Sequence, residues 1–234
     1  MRVLAVGGHP DDLESLCGGT LARFAREGHE VVMCHVANGN KGSFEHSSEE
    51  TARIRTGEAR RAAELCGATH ITLGVPDGEV LSADRAQRSL VVDLVRDARP
   101  DLIITHFPGD YHNDHNETSR LVFDASFLAS VPLFVSGKPH HDKVTPIYYT
   151  DTLAGLGFVP TEFVDISEVI GIKEAMLRAH ESQVAWMCDH DGVDLVEHMK
   201  IANAFRGQQC GVAYAEGFAP CLTGLRCTTK RLLP

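Results

Sequence analysis

A chain of 234 residues, 43% hydrophobic and 23% charged, is long enough for a sizeable core and too apolar for disorder to be its default state. Its 32 acidic residues outnumber 22 basic ones, and a formal net charge of -10 repels phosphate backbones and anionic lipid, so nucleic acid and membrane are excluded as first-choice partners. The longest apolar stretches, such as FLASVPLFV at 127–135, are too short to span a bilayer, the opening MRVLAVGG has no secretory pattern, and the seven cysteines form no C-x-x-C pair. The expectation is a cytoplasmic protein with Cys34 and Cys66 as buried free thiols.

In chain order, RVLAVGG (2–8), EVVMCHVA (30–37), HITLG (70–74) and DLIITHF (101–107) are short and almost continuously apolar, as strands covered on both faces are. Between them lie helical spacings. LCGGTLARFAREG places Leu16, Leu21, Phe24 and Ala25 on one face with Gly28 at its end. SSEETARIRTGEARRAAELCG has Ser48 or Thr51 as candidate caps and Gly67 as a stop, and ADRAQRSLVVDLVRDARP closes at Pro100. ETSRLVFDASFLAS follows Asn116 as its cap. This alternation predicts an α/β, Rossmann-like, mostly parallel sheet with helices on both faces. After residue 132, TPIYYTD and EFVDIS read as short strands, SEVIGIKEAMLRAH as a helix capped at Ser167, and the chain from about Ala204 as irregular, a candidate oligomer contact. The expected organisation is one domain over 1–234, with a core at 1–131, additional strands and helices from 132, and a short irregular C-terminal extension.

In a parallel sheet of order 3-2-1-4, the loops after strands one and four lie side by side at the crevice where ligands bind. The first loop is GGHPDD, with His9, Asp11 and Asp12; the second is HFPGDYHNDHNE, with His106, Asp110, His112, Asp114 and His115. A catalytic zinc keeps three imidazole or carboxylate ligands and an open position, and His9, one of the two aspartates and one histidine of the second loop supply that set. The remaining aspartate is then free to take a proton from an activated water. The residues alone do not say which aspartate has which role. Pro10 restricts the turn, and Gly18 and Gly19 leave room for substrate or a neighbouring loop. Two plainer readings are an N-cap with an acidic first turn and an ordinary polar loop; their convergence at one crevice favours the metal reading. A nucleotide-binding Rossmann loop is disfavoured, because G-x-G-x-x-G is absent and paired carboxylates repel a pyrophosphate.

These segments resemble a known family. GGHPDDLESLCGGTLARFAREGHEV is similar to the (A/G)-H-P-D-D-x(5)-G-G-T-L opening of the PIG-L/LmbE-like zinc deacetylases, and PGDYHNDHNET is similar to their P-x-D-x-H-x-D-H motif. The resemblance continues through Arg55-x-x-Glu58, the PDG turn at 76–78, EFVDIS and HESQ at 180–183, and so covers about residues 1–185. It implies a Rossmann-like hydrolase that removes an N-acetyl group from a glucosamine-type sugar or glycoconjugate. It implies zinc, or alternatively Fe(II), on His9, Asp12 and His115, with Asp11 as general base. His112 is implied as the imidazole that stabilises the oxyanion and as a candidate proton donor to the leaving amine, held by Asp114, with Asp110 a further carboxylate outside the ligand set. Arg55 and Asp77 match positions that contact the sugar. Family behaviour and the glycine-rich tail also point to a homo-oligomer.

The other histidines receive plainer readings. His35 is read as a hydrogen-bonded core residue, His106 as either structural or supporting the site, His140 and His141 as solvated, and His180 as packing with the cleft as its alternative. Trp186, the only tryptophan, is read as core rather than as a sugar platform. The function expected is a zinc-dependent N-deacetylase of an acetylated amino sugar. The alternatives are an amidase acting on another amide, such as a thiol conjugate, and a non-catalytic sugar- or nucleotide-binding module. Segments 38–48, 136–146 and the tail are expected to decide the substrate.

Overall fold

The computed structural model describes residues 1–234. Its elements are β1 (Arg2–Gly7), α1 (Asp12–Arg26), β2 (Glu30–Ala37), α2 (Ser48–Cys66), β3 (Thr69–Val75), α3 (Arg85–Ala98), β4 (Leu102–Thr105), α4 (Asn113–Leu128), β5 (Ile147–Thr150), β6 (Glu162–Asp165), α5 (Ile170–Arg178), α6 (Glu181–Asp191), α7 (Leu195–Cys210) and β7 (Ala215–Pro220). The sheet order is β3-β2-β1-β4-β5-β7-β6, with β3 through β5 parallel and β7 antiparallel to both of its neighbours. No helix is long and apolar enough to cross a membrane.

β1 shows why the apolar runs are continuous. Val3 and Ala5 face a core with Leu13, Leu21, Phe24 and Met176 from α1 and α5, whereas Leu4 and Val6 face one with Val91, Val95, Leu121 and Val122 from α3 and α4. Both faces are covered, so no polar alternation is needed. Register then sets the site: Gly7 pairs with His35 of β2, and Val6 with Thr105 of β4. The chain therefore leaves β1 and β4 side by side where strand order reverses.

Helix starts differ from expectation for local reasons. α2 is capped by Ser47, whose hydroxyl accepts from Glu50 N at 3.3 Å, while Thr51 Oγ1 donates to the Ser47 carbonyl. α4 begins at Asn113, capped by His112, because the Asn116 side chain is engaged with the Asp110 backbone in both directions at 2.8 Å. α5 begins at Ile170, since the Ser167 hydroxyl donates to Asp165 Oδ1 at 2.6 Å instead of capping. Gly18 and Gly19 face protein rather than substrate. A Cβ on Gly19 would stand 2.7 Å from Ile166 Cγ2, and one on Gly18 would stand 3.4 Å from Lys173 Cγ.

The largest departure is beyond residue 204. α7 runs through Cys210, and residues 215–220 join the sheet as β7, so the irregular extension begins at Cys221. The insertion of β7 depends on a buried charge that no local pattern shows. Glu216 accepts from Gly19 N (2.8 Å), Thr20 N (2.7 Å) and Lys173 Nζ (2.6 Å), with Lys173 and Glu216 both fully buried. Glu216→Gln leaves the Lys173 ammonium unpaired in the core, and a loss of about 3–5 kcal/mol in unfolding free energy is expected by urea titration.

His141 is buried rather than solvated, with Nε2 3.2 Å from the Pro100 carbonyl. Its loop packs at the amino end of β4, where Lys143 Nζ reaches Asp101 Oδ1 at 2.5 Å. Segment 136–146 thus lies at the opposite end of β4 from the crevice and does not line the site expected of it.

Candidate active site

The paired aspartates straddle the β1–α1 turn. Asp11 is the residue before α1 and has φ 119°, a left-handed conformation uncommon for a non-glycine residue. Its side chain makes no cap hydrogen bond, so the carboxylate is not consumed in starting the helix. Burial pushes the Asp11 carboxyl up to about 6, opposed by the Arg55 guanidinium 3.4 Å away. Asp12 turns the other way: its Oδ2 accepts from His9 N at 2.6 Å, and its carboxylate stands 3.2–3.5 Å from ring nitrogens of His9, His106 and His115. Against the cost of burial, His115 and His106 hold it well below the usual carboxylate range.

Two histidines present one nitrogen to this centre and the other to a carboxylate. His9 Nε2 is hydrogen-bonded to Asp114 Oδ2 at 3.0 Å, leaving Nδ1 toward Asp12. His115 has Nδ1 3.2 Å from Asp110 Oδ2 and Nε2 3.2 Å from Asp12 Oδ1. Despite burial, Asp114 and Asp12 raise His9 to about 10, and Asp12 and Asp110 raise His115 to about 9. Donor atoms of His9, His112 and His115 lie within 4.8 Å of one another, as do those of Asp12, His106 and His115. His106 is the weaker member, because its Nε2 already accepts from Gly8 N at 2.8 Å and its ring stacks on His115 at 4.0 Å.

His112 is held by its own backbone context. Its Nδ1 accepts from Asp114 N at 3.2 Å, which places the proton of the neutral ring on Nε2. Burial together with His9 and His115 lowers its pKa. The Asp114 carboxylate, expected to hold His112, instead bonds His9 and accepts from Gly78 N at 2.7 Å.

Arg55 and Asp77 line the same pocket, of about 400 Å³, but their polar atoms are engaged with loops. Arg55 is 3% exposed and donates to the Pro10 carbonyl (2.5 Å) and the Gly39 carbonyl (3.2 Å). Asp77 accepts from Gly39 N (2.7 Å) and Lys41 N (3.3 Å). A Cβ on Gly39 would stand 2.6 Å from Arg55, and Gly39 has φ +75°, so this contact requires glycine twice over.

Behind the pocket, Glu14 is fully buried between His180 Nε2 (3.1 Å) and His35 Nε2 (3.6 Å), and His35 Nδ1 is 3.2 Å from His70. His180 is therefore packed, as expected, but around a charge. Glu58 accepts from Ser182 N and Oγ at 2.8 and 2.6 Å, so the HESQ segment docks α6 onto α2. Tyr111, Leu153, Gln183 and Met187 also line the pocket; Tyr111 and Gln183 lie inside the PGDYHNDHNET and HESQ segments without a role assigned to them there, and Leu153 and Met187 lie outside every motif. Trp186 lines it too, against Phe44 at 4.4 Å and His190 at 4.6 Å, and is not core.

The chain is similar to proteins of known kind. The family model "PIG-L: GlcNAc-PI de-N-acetylase" matches residues 4–126, which contain both loops. Diacetylchitobiose deacetylase of Thermococcus kodakarensis is 31% identical over 229 residues, covering 92% of this chain and 81% of its own. The solved structure of N,N'-diacetylchitobiose deacetylase from Pyrococcus horikoshii, with its inhibitor MPG, superposes with a TM-score of 0.82 at 26% identity over 94% of this chain and 83% of that one. GalB, the 4-carboxy-2-hydroxymuconate hydratase of Pseudomonas putida, superposes with a TM-score of 0.81 at 23% identity over 99% of this chain and 100% of its own. That likeness shows the fold alone, and the choice of reaction rests on the side chains. With both loop motifs inside the matched region and a relative 31% identical over 92% of this chain, the chain belongs to the PIG-L family of de-N-acetylases.

Proposed function

We propose that this chain is a metal-dependent hydrolase that removes the acetyl group from an N-acetylated amino sugar or its glycoconjugate. The observation that carries the metal is the paired use of the imidazoles: His9 Nδ1 and His115 Nε2 each face an oxygen of the Asp12 carboxylate, at 3.5 and 3.2 Å, while Asp114 and Asp110 face the opposite ring nitrogens. Two imidazoles and one carboxylate, each imidazole backed by a carboxylate, fit zinc with an open coordination position, and Fe(II) suits the same donors. When bound, such an ion supplies Lewis acidity to the amide carbonyl and lowers the pKa of water toward about 7.

The protein's own residues do the rest. Asp11, ionised at neutral pH, accepts the proton of the attacking water as its oxygen adds to the acetyl carbon. His112 Nε2–H donates to the oxygen that becomes negative; its Nδ1 is occupied by a backbone N–H, so the neutral donor is favoured over the imidazolium. As the C–N bond breaks, Asp11 returns its proton to the leaving nitrogen, and the products are acetate and a free amine. Arg55 and Asp77 serve as positioning residues that hold the loops around Asp11 and Gly39.

Arg55 also restrains the base electrostatically. Removing its charge by Arg55→Met lets the Asp11 pKa rise, and because the ionised form is the active one, the acid limb of the kcat/KM profile is expected to move to higher pH. A limb that stays in place would remove Arg55 from this role.

The substrate half of the proposal draws on the relatives' activities and on a polar pocket lined by Asp11, Asp77, Lys41 and Gln183. Its test is acetate and free-amine release from N-acetylglucosamine, N,N'-diacetylchitobiose, an N-acetylglucosaminyl-inositol and an amide of a thiol conjugate. Release from the sugars, abolished by chelator and restored by zinc, is expected. Cleavage confined to the thiol conjugate, or no cleavage by protein carrying about one metal per chain, overturns it.

A further inference from the structure

Among the histidines of the centre, His106 alone has no task in the reaction described above, although it is buried where β4 ends. Its main chain is fixed, because Ser119 Oγ of α4 donates to the His106 carbonyl at 2.8 Å. Its ring then makes two contacts of different kinds. Nε2 accepts from Gly8 N at 2.8 Å, and one face lies on the His115 ring, with centroids 4.0 Å apart and planes 6° apart.

The first contact decides the state of the ring. A nitrogen that accepts from an amide carries no proton, so the ring is neutral with its proton on Nδ1. The 3.3 Å approach of Nε2 to Asp12 Oδ2 is then not an ion pair. Nor is that lone pair free to bind a cation, even though donor atoms of Asp12, His106 and His115 lie within 4.8 Å of one another.

Both contacts fall on the carriers of the ligands. Gly8 immediately precedes His9, and its carbonyl accepts from Ala37 N of β2 at 2.8 Å, so the peptide groups on its two sides are tied to His106 and to β2. The turn has no slack, since a Cβ on Gly8 would stand 3.1 Å from Asp12 Oδ2. We propose that His106 is a positioning residue for the metal ligands: its Nε2 holds the Gly8 turn that carries His9 and Asp12, and its face sets the plane of His115. The proposal rests on the metal reading of this centre. Ligands arranged before the ion arrives lose less freedom on binding it, so the contribution of His106 is read in metal affinity.

The test is the zinc affinity of the folded protein, by competition with a chromogenic chelator, in three variants. His106→Leu removes both contacts and is expected to weaken zinc binding by about 10–100-fold, as loss of an outer partner does. His106→Gln can still accept from Gly8 N, and His106→Phe can still lie on His115. Each keeps one contact, so each is expected to fall between His106→Leu and the parent. The visible spectrum of the cobalt(II)-loaded protein follows the ligand set, and His106→Phe is expected to keep the parent's bands. A purely structural residue would lower the urea midpoint of the metal-free protein and leave zinc affinity alone. Unchanged zinc affinity in His106→Leu therefore overturns the proposal, and so does a loss that neither His106→Gln nor His106→Phe reduces. That second result, with altered cobalt bands and a loss equal to that of His115→Ala, would make His106 a ligand instead. A parent protein that binds no zinc is distinct from both: it removes the metal reading itself, and this inference with it.

Discussion

Asp11→Asn is expected to retain the metal and to lose about 10²–10⁴-fold in turnover, the range associated with removing a general base. The substitution is close to isosteric, and asparagine tolerates the left-handed backbone at this position as well as aspartate does. The ligand atoms of His9, Asp12 and His115 are untouched, so metal content by elemental analysis is the control that separates a lost base from a lost site. The pH dependence has a definite sign. Burial raises the Asp11 carboxyl to about 6, and activity requires the ionised form, so the acid limb of kcat/KM falls as pH drops through about 6, or lower once a bound cation favours the carboxylate. The same shift bears on stability. A carboxyl whose pKa is higher folded than unfolded binds its proton more tightly when folded, so folding free energy is lost as pH rises from the unfolded value through about 6. At pH 7 the metal-free Asp11→Asn protein is therefore expected to unfold at a higher temperature than the parent. Near-normal turnover with metal bound would falsify the assignment of Asp11 as base.

His115→Ala is the second large effect, and here the metal itself is expected to go. His115 belongs to both groups of converging donors, so its loss leaves neither complete. The fall in metal affinity should exceed the about 10–100-fold that removing an outer carboxylate partner costs, which makes Asp110→Ala the natural comparison. Competition with a chromogenic chelator reads both. The Gly8 backbone lies against this ring, since a Cβ there would stand 3.0 Å from His115 Cδ2, so the ring also shapes the turn that carries His9. Excess zinc should restore Asp110→Ala readily and His115→Ala poorly. Equal affinity in His115→Ala and the parent protein would move the metal to another set of residues.

The alternation of β1 to β4 with α1 to α4 was readable because each strand is covered on both faces and each helix carries one apolar stripe; these are local periodicities. The two loops were readable as a converging site because strand order at a switch point brings them together. Cap positions were less legible. Ser47, Ser48, Thr51 and Asn116 all have suitable side chains, and what selected among them was competition from nearby backbone and carboxylate groups. β7 was not legible at all. Residues 215–220 hold glycine, proline and a glutamate, a poor strand pattern, and their place in the sheet depends on Glu216 meeting Lys173 and two α1 amides far away in sequence.

The site divides the same way. Residue types and their spacing determined by themselves that this chain carries a histidine and carboxylate centre, because imidazole and carboxylate are the donors such chemistry needs. Only the tertiary structure decided how each group is used: Asp114 on His9 rather than His112, Arg55 as a brace rather than an open sugar contact, Trp186 at the pocket wall rather than in the core, and His106 on the Gly8 amide. The physical reason is range. Strand and helix patterns are set by neighbours within a few residues, whereas hydrogen-bond partners and cavity walls are assigned by whichever groups the packed sheet and helices bring within about 3–4 Å.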